Sequence, residues 1–247
     1  MAEARVPRLA VLIDADNAKV EIADGLFEEI AKIGEASVRR IYGDFSGTQL
    51  KSWAKVLSKH AITASQNFAN TTRKNASDIA LVIEAMDFLH SGRFDGFCLV
   101  SSDSDFTRLA SRIREQGVDV YGFGEQKTPE SFRQACRRFI YTENLLPGAA
   151  TAEAQSETGD GRAKPLKKEP SAATPLLRKA IAQLEDDDGW VSLGAVGKQL
   201  SNLASDFDSR TYGQAKLMGL VEKTDAFEIK KESGTVYVRA KSRTKGK

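Results

Sequence analysis

Leu9-Ala10-Val11-Leu12-Ile13-Asp14 and Phe97-Cys98-Leu99-Val100-Ser101-Ser102-Asp103-Ser104-Asp105 are two short apolar runs, each closed by acids. Apolar residues without polar alternation over such a length read as strands buried on both faces, the kind that parallel sheets contain. Ligands of open parallel sheets bind outside the carboxyl ends of the strands, at the point where strand order reverses. Both runs therefore deliver Asp14, Asp103 and Asp105 to the place where a ligand would be met.

Around these runs, residues 8–146 alternate strand and helix. Strands are predicted at 8–13, 36–42, 61–65, 96–101 and 118–123. Helices are predicted at 20–33, 47–59, 76–90, 105–116 and 129–137, the last preceding Phe139-Ile140-Tyr141, with Thr128-Pro129 as its N-cap and first position. The apolar positions of the 76–90 helix are Ile79, Leu81, Val82, Ile83, Met86 and Leu89. Strict alternation predicts a parallel sheet covered by helices on both faces, with one chain of 247 residues holding this domain and a smaller one.

Residues 147–173 carry no large apolar residue beyond Leu166 and are expected to be a flexible linker. Pattern resumes at 174–240. A helix is predicted from Pro175 to Leu184, a second after Trp190-Val191-Ser192-Leu193 ending near Leu200, and a third from Tyr212 to Leu220. A hairpin follows, from Phe227–Lys231 and Thr235–Arg239 around Glu232-Ser233-Gly234. Three helices and a hairpin make a winged helix. Residues 241–247 form a basic tail.

The composition, 41% hydrophobic and 28% charged, is that of a globular protein with a real core. No apolar stretch reaches the ~20 residues of a membrane span and no signal-peptide core begins the chain, so a cytoplasmic location without membrane attachment is expected. Two cysteines, Cys98 and Cys136, give no disulfide framework. Charge is uneven: residues 1–147 hold 19 Lys+Arg against 20 Asp+Glu, and the remainder 17 against 14. The small C-terminal excess, in Lys164, Lys167, Lys168 and the tail, suits a nucleic-acid partner but also an ordinary solvated linker.

The acids carry the chemistry. Asp78, on the first turn of the 76–90 helix, leans toward the crevice from the side. Carboxylates about 4 Å apart repel by about 4 kcal/mol per pair at an effective dielectric near 20. Asp14, Asp78, Asp103 and Asp105 together therefore ask for a cation, and oxygen ligands of this kind suit Mg²⁺ or Mn²⁺. A metal-bound water there would attack a phosphodiester in line. Taken singly, each of Asp14, Asp78 and Asp103 is better explained as a helix cap or first-turn acid, and it is their convergence that favours a metal site. Asn17 either closes its loop or holds a phosphate. Arg73 and Lys74, with Thr71 and Thr72, stand before Asp78 as phosphate contacts or as a solvated loop. Tyr42 and Phe45 lie near the end of the second strand, where an aromatic could stack a base, with core packing the alternative for Tyr42. His60 and His90 lack metal-ligand spacing. Asp14→Asn is expected to abolish activity with stability unchanged or raised.

Leu12-Ile13-Asp14-Ala15-Asp16-Asn17, Lys74-Asn75-Ala76-Ser77-Asp78 and Ser101-Ser102-Asp103-Ser104-Asp105-Phe106 resemble, in order, the three motifs of the NYN domain, a branch of the PIN-like nucleases. Ser102 stands where the family commonly has Gly. The resemblance implies a Rossmann-like sheet and Mg²⁺- or Mn²⁺-dependent endoribonuclease chemistry carried by Asp14, Asp78, Asp103 and Asp105, with Asn17 in support. Residues 174–240 are similar to the OST-HTH (LOTUS) domain, a winged helix implicated in RNA binding and protein partnering. That similarity rests on Gly189-Trp190-Val191, the Leu193–Leu200 helix, Tyr212–Leu220 and the hairpin. It implies RNA as partner, with Lys198, Arg210 and Lys216 as candidate backbone contacts, and leaves a protein partner open. PIN-like domains often pair, so a homodimer is also open. Two other functions compete: an RNA-binding adaptor using the PIN-like fold as scaffold, and a phosphatase of the haloacid-dehalogenase kind, prompted by Asp14-Ala15-Asp16.

Overall fold

The computed structural model describes residues 5–66, 76–147, 167–185 and 189–241. Two compact units divide at Pro147 and Gly148. Thr71, Thr72, Arg73, Lys74, most of the expected linker, Asp186–Asp188 and the tail after Lys241 lie outside the described residues.

Among the described residues the first unit has six strands: β1 (Arg8–Asp14), β2 (Glu35–Gly43), β3 (Thr63–Gln66), β4 (Gly96–Val100), β5 (Asp119–Gly124) and β6 (Arg138–Tyr141). Its helices are α1 (Ala23–Ala31), α2 (Lys51–Val56), α3 (Ala76–His90), α4 (Thr107–Glu115) and α5 (Glu130–Ala135). The order across the sheet is β3-β2-β1-β4-β5-β6, and every described pairing is parallel. Strand order thus reverses between β1 and β4, and the acids of the two quoted runs flank that reversal. β6, four residues long, is an addition to the expected strands.

Because side chains alternate across a strand, β1 feeds two cores. Leu9, Val11 and Ile13 pack with Leu26 and Ile30 of α1 and Trp53 of α2. Ala10 and Leu12 face the other way, with Leu81 and Ala85 of α3, Leu109 and Ile113 of α4 and Phe132 of α5. Both faces being covered explains why the run shows no polar alternation.

Helix α3 departs from the sequence reading. Its buried line is Ser77, Leu81 and Ala85, at a spacing of four, whereas Ile79 and Ile83 are exposed. Glu84 pins the helix to the sheet: its Oε2 accepts from the Tyr42 hydroxyl at 2.7 Å and its Oε1 from Arg40 Nε at 2.8 Å. Thr128 is not the cap of α5; Pro129 holds that position and makes no side-chain cap bond.

The second unit comprises α6 (Thr174–Ala182), β7 (Val191–Ser192), α7 (Leu193–Leu203), α8 (Leu217–Thr224), β8 (Phe227–Glu232) and β9 (Thr235–Ala240). Its sheet has the order β7-β9-β8 and is antiparallel. Ser233 and Gly234 link β8 to β9 with φ of 47° and 80°. Two consecutive positive values are what a two-residue hairpin turn with the right twist demands, and glycine meets the second without strain. Leu177, Ile181, Val196, Leu200, Leu220, Val221 and Val238 form its core.

Two boundaries differ from expectation. Pro170–Ala173 is a 3-10 turn with Ala173 fully buried in this core, so 167–173 belongs to the module and not to a linker. A methyl group suffices there, and a small residue gives no hydropathy signal. The third helix starts at Leu217 because Ser209–Tyr212 forms a separate 3-10 turn that Gly213 ends with φ of 75°.

Candidate active site

Register decides which acids meet. β1 and β4 pair as Ile13↔Val100, so Asp14 and Ser101 come next, side by side. Both share the parity of Leu12 and Leu99, which face α3 and α4, and both therefore turn toward the start of α3. Ser101 Oγ donates to Asp14 Oδ2 at 2.7 Å. The same oxygen accepts from Asn17 Nδ2 at 2.8 Å, and Oδ1 accepts from the Asp16 amide at 3.1 Å. Asp14 is 1% exposed. Burial pushes its carboxyl pKa up, opposed by the hydrogen bonds from Ser101 and Asn17.

From Ser101 the chain runs outward in a series of turns. The Asp103 amide donates to Ser101 Oγ at 3.0 Å, and the Asp105 amide donates to Asp103 Oδ1 at 2.9 Å. Asp103 thus caps the 3-10 turn Ser104–Phe106 that leads into α4. This capping engages one oxygen of Asp103. Asp105 and Asn17 are exposed, Asp103 and Asp78 half-exposed. Ser77 Oγ sits 3.4 Å from Asp16 Oδ2, bringing the start of α3 to the loop after β1.

Asp78 registers the gathering of charge. Burial first, then the charges of Asp14, Asp103, Asp16 and Asp105, push its pKa up from 3.8 to about 6. The other three expected acids therefore act on the Asp78 carboxyl, with Asp16 as a fourth. Among the described residues, no three acidic, histidine or cysteine side chains are gathered closely enough to enclose an ion. The arrangement is an open, all-oxygen cleft rather than a cage. Open oxygen sites fit Mg²⁺ or Mn²⁺, which keep several waters and take only one or two carboxylates.

Asp14 differs from the other acids in being a floor to the site. Three donors occupy its two oxygens, leaving little acceptor capacity. In the Asp14→Asn variant the new side-chain amide would present N–H groups to a donor, so the expected gain in stability gives way to a loss. The contribution of Ser101 and Asp16 was missed in the sequence; only strand register reveals it. Tyr42 is 1% exposed with its hydroxyl held by Glu84, which removes it from base stacking. Phe45 packs against the α1-side core.

In the second unit, Lys198 and Lys216 are exposed. Arg210 is not comparably available: Asp208 accepts from its Nε and Nη2, with the shortest contact at 2.6 Å. The sequence reading also passed over Trp190 as a surface feature. Lys230 Nζ lies 4.9 Å and Arg239 Cζ 4.7 Å from its ring centroid.

An open parallel sheet with acids at its switch point is the framework of a PIN-like nuclease fold, and residues 8–145 match the NYN domain. The chain belongs to the NYN family, which is generally one of nucleases. Residues 164–239 match the OST-HTH/LOTUS domain, an RNA-binding module. Among curated proteins none matches. Among solved structures, a protein of unknown function from Vibrio parahaemolyticus is 17% identical, with a TM-score of 0.49, over 59% of this chain and 99% of that one. An uncharacterized protein from Nitrosomonas europaea is 33% identical, with a TM-score of 0.29, over 38% of this chain and 95% of that one. No helix among the described residues is long and apolar enough to cross a membrane.

Proposed function

We propose that the chain is a Mg²⁺- or Mn²⁺-dependent endoribonuclease whose C-terminal module recruits RNA. The observation that carries this reading is the meeting of Asp14, Asp78, Asp103 and Asp105 at the β1/β4 switch point, where burial and then the neighbouring acids raise the pKa of Asp78. Such clusters mark functional sites more often than structural ones. Two of Asp78, Asp103 and Asp105 would hold the ion directly and the third through the ion's waters, with Asp14 beneath them. When bound, the ion supplies a hydroxide-like nucleophile at neutral pH and offsets charge on the phosphate. Asp14 orients Asn17 and Ser101, and Ser101 holds the Asp103 amide in place. Asn17, exposed at the rim, is suited to donate to a phosphate oxygen. Lys198 and Lys216 are suited to backbone contacts in the second unit, where Trp190 with Lys230 and Arg239 offers a further aromatic and cationic patch. A cytoplasmic RNA pool is the proposed substrate source.

The test is cleavage of mixed single-stranded and structured RNAs by wild type, Asp103→Asn and Asp105→Asn, with Mn²⁺, Mg²⁺ or chelator. Metal-dependent internal cleavage by wild type, absent in both variants, is expected. Millimolar metal should also raise the melting temperature of wild type, through binding to the folded state alone, and raise it less in Asp103→Asn. Tight RNA binding without cleavage under any metal would instead make the protein an adaptor.

A further inference from the structure

Ile79 and Ile83, each 58% exposed, are among the few large apolar side chains that the described surface leaves open to water. Four residues apart on α3, they project from one face of the helix. With Val82 between them and Phe106 beneath, they line a cleft of about 240 Å³ whose remaining lining residues are Asp78 and Asp105. The apolar ledge thus opens directly onto the acids.

We infer that this cleft seats one unpaired nucleobase of the RNA, on the nucleotide next to the phosphate held at the acids; the inference rests on the nuclease reading above. Continuity comes first, since an occupant of the ledge touches two of the carboxylates that would hold the ion. Its dimensions agree: Ile79 and Ile83 are about 6 Å apart along the helix axis, the scale of one heterocycle and not of a partner's helix. Its chemistry agrees as well. An unstacked base offers flat apolar faces, and enzymes that act on nucleotides hold such bases between apolar or aromatic side chains. A second copy docking on its own ledge would bring Asp78 and Asp105 against the same two acids, which opposes that occupant.

Two consequences follow from the lining. Apart from Asp78 and Asp105, whose carboxylates are engaged with the ion, it contains no side-chain group that could read a base edge, so base identity is tolerated. Paired bases hide their faces in the stack, so the nucleotide beside the cleaved phosphate is unpaired.

The test uses the full chain and the Ile79→Ala/Ile83→Ala variant. Both positions are exposed, so the variant should melt as wild type does. The substrates are a short single-stranded RNA and the same RNA with an abasic ribose on one side or the other of the cleaved phosphate. Removing the base on one side should lower wild-type kcat/KM about tenfold, the scale of a single base contact. The variant should lose about tenfold on intact RNA and be indifferent to the abasic ribose. Equal activity of variant and wild type on intact RNA, or losses that simply multiply, would overturn the inference. So would loss of activity accompanied by a change from dimer to monomer in sedimentation. A second readout is independent of cleavage: RNAs carrying 2-aminopurine at successive positions should change emission on binding wild type and not the variant. If neither protein cleaves but emission still distinguishes them, the nuclease reading fails and the base seat stands. If neither cleavage nor emission distinguishes them, the base seat fails.

Discussion

Asp78→Asn should make the metal-free protein more stable at neutral pH, and the gain should disappear in acid. The carboxyl titrates at about 6 in the folded chain against 3.8 for the ordinary group. An acid whose folded pKa is raised binds its proton more tightly when folded. Stability is therefore greatest below the unfolded value and falls as pH rises through the window from about 4 to about 6. Above it the full penalty is present. Two units correspond to a ceiling of about 3 kcal/mol. Because Asp78 is only half-buried and solvent screens its neighbours, about 1 kcal/mol is the expected net figure. Asn keeps the shape and removes the charge, so the variant should melt about 2–4 °C higher at pH 7.5 in chelator. The difference should shrink steadily below pH 6 and vanish near pH 4. Mn²⁺ should narrow it at pH 7.5, because the ion relieves in wild type the repulsion that the substitution removes. Thermal melts of both proteins at four pH values, with chelator and with Mn²⁺, check all three arms. A variant that is no more stable at pH 7.5, or that differs from wild type equally at every pH, would refute the claim that neighbouring acids burden Asp78.

Asp14→Asn should behave oppositely, losing about 1–3 kcal/mol because a buried donor is left without its acceptor; urea melts that show it as stable as Asp78→Asn would contradict this. Gly124→Ala should be strongly destabilising, because its Cβ would lie 2.6 Å from the Ser101 carbonyl oxygen and 2.7 Å from Thr128 Oγ1. Displacing Ser101 also disturbs Asp14, so cleavage should fall further than the melting curve alone explains. Tyr42→Phe should cost about 1.5–3 kcal/mol, one part-buried hydrogen bond to a carboxylate being lost, and hydrogen exchange should show α3 loosened.

The central strands were legible because both faces are covered: all nine residues of Leu9–Ile13 and Phe97–Val100 could be apolar without exception. β6 and β7 escaped notice for the opposite reason. Four and two residues are too short to establish a period. The start of α8 was misplaced because Tyr212 and Ala215, three apart, suit helical spacing, while the backbone turns at Gly213 between them. In the site, the identity of the acids could be read from their position after strands, but the Ser101–Asp14 bond could not. It depends on the relative register of segments 87 residues apart. The Ile79–Ile83 ledge was hidden by its own composition, since α3 is apolar on more than one side and only packing separates the core line Leu81–Ala85 from the open one.

β1 lies at the middle of the sheet, with β2 on one side and β4 on the other. Leu9 pairs with Ala36 but also with Gly96, so the strand gains its second neighbour only after most of the domain has been made. During synthesis, a ribosome-bound chain that ends before β4 has Asp14 but neither Ser101 to hold it nor Asp103 beside it. Local contacts form early and distant pairings late. Assembly of the proposed catalytic cleft is thus timed by the sheet's own connectivity: the acid that closes β1 waits for those that follow β4.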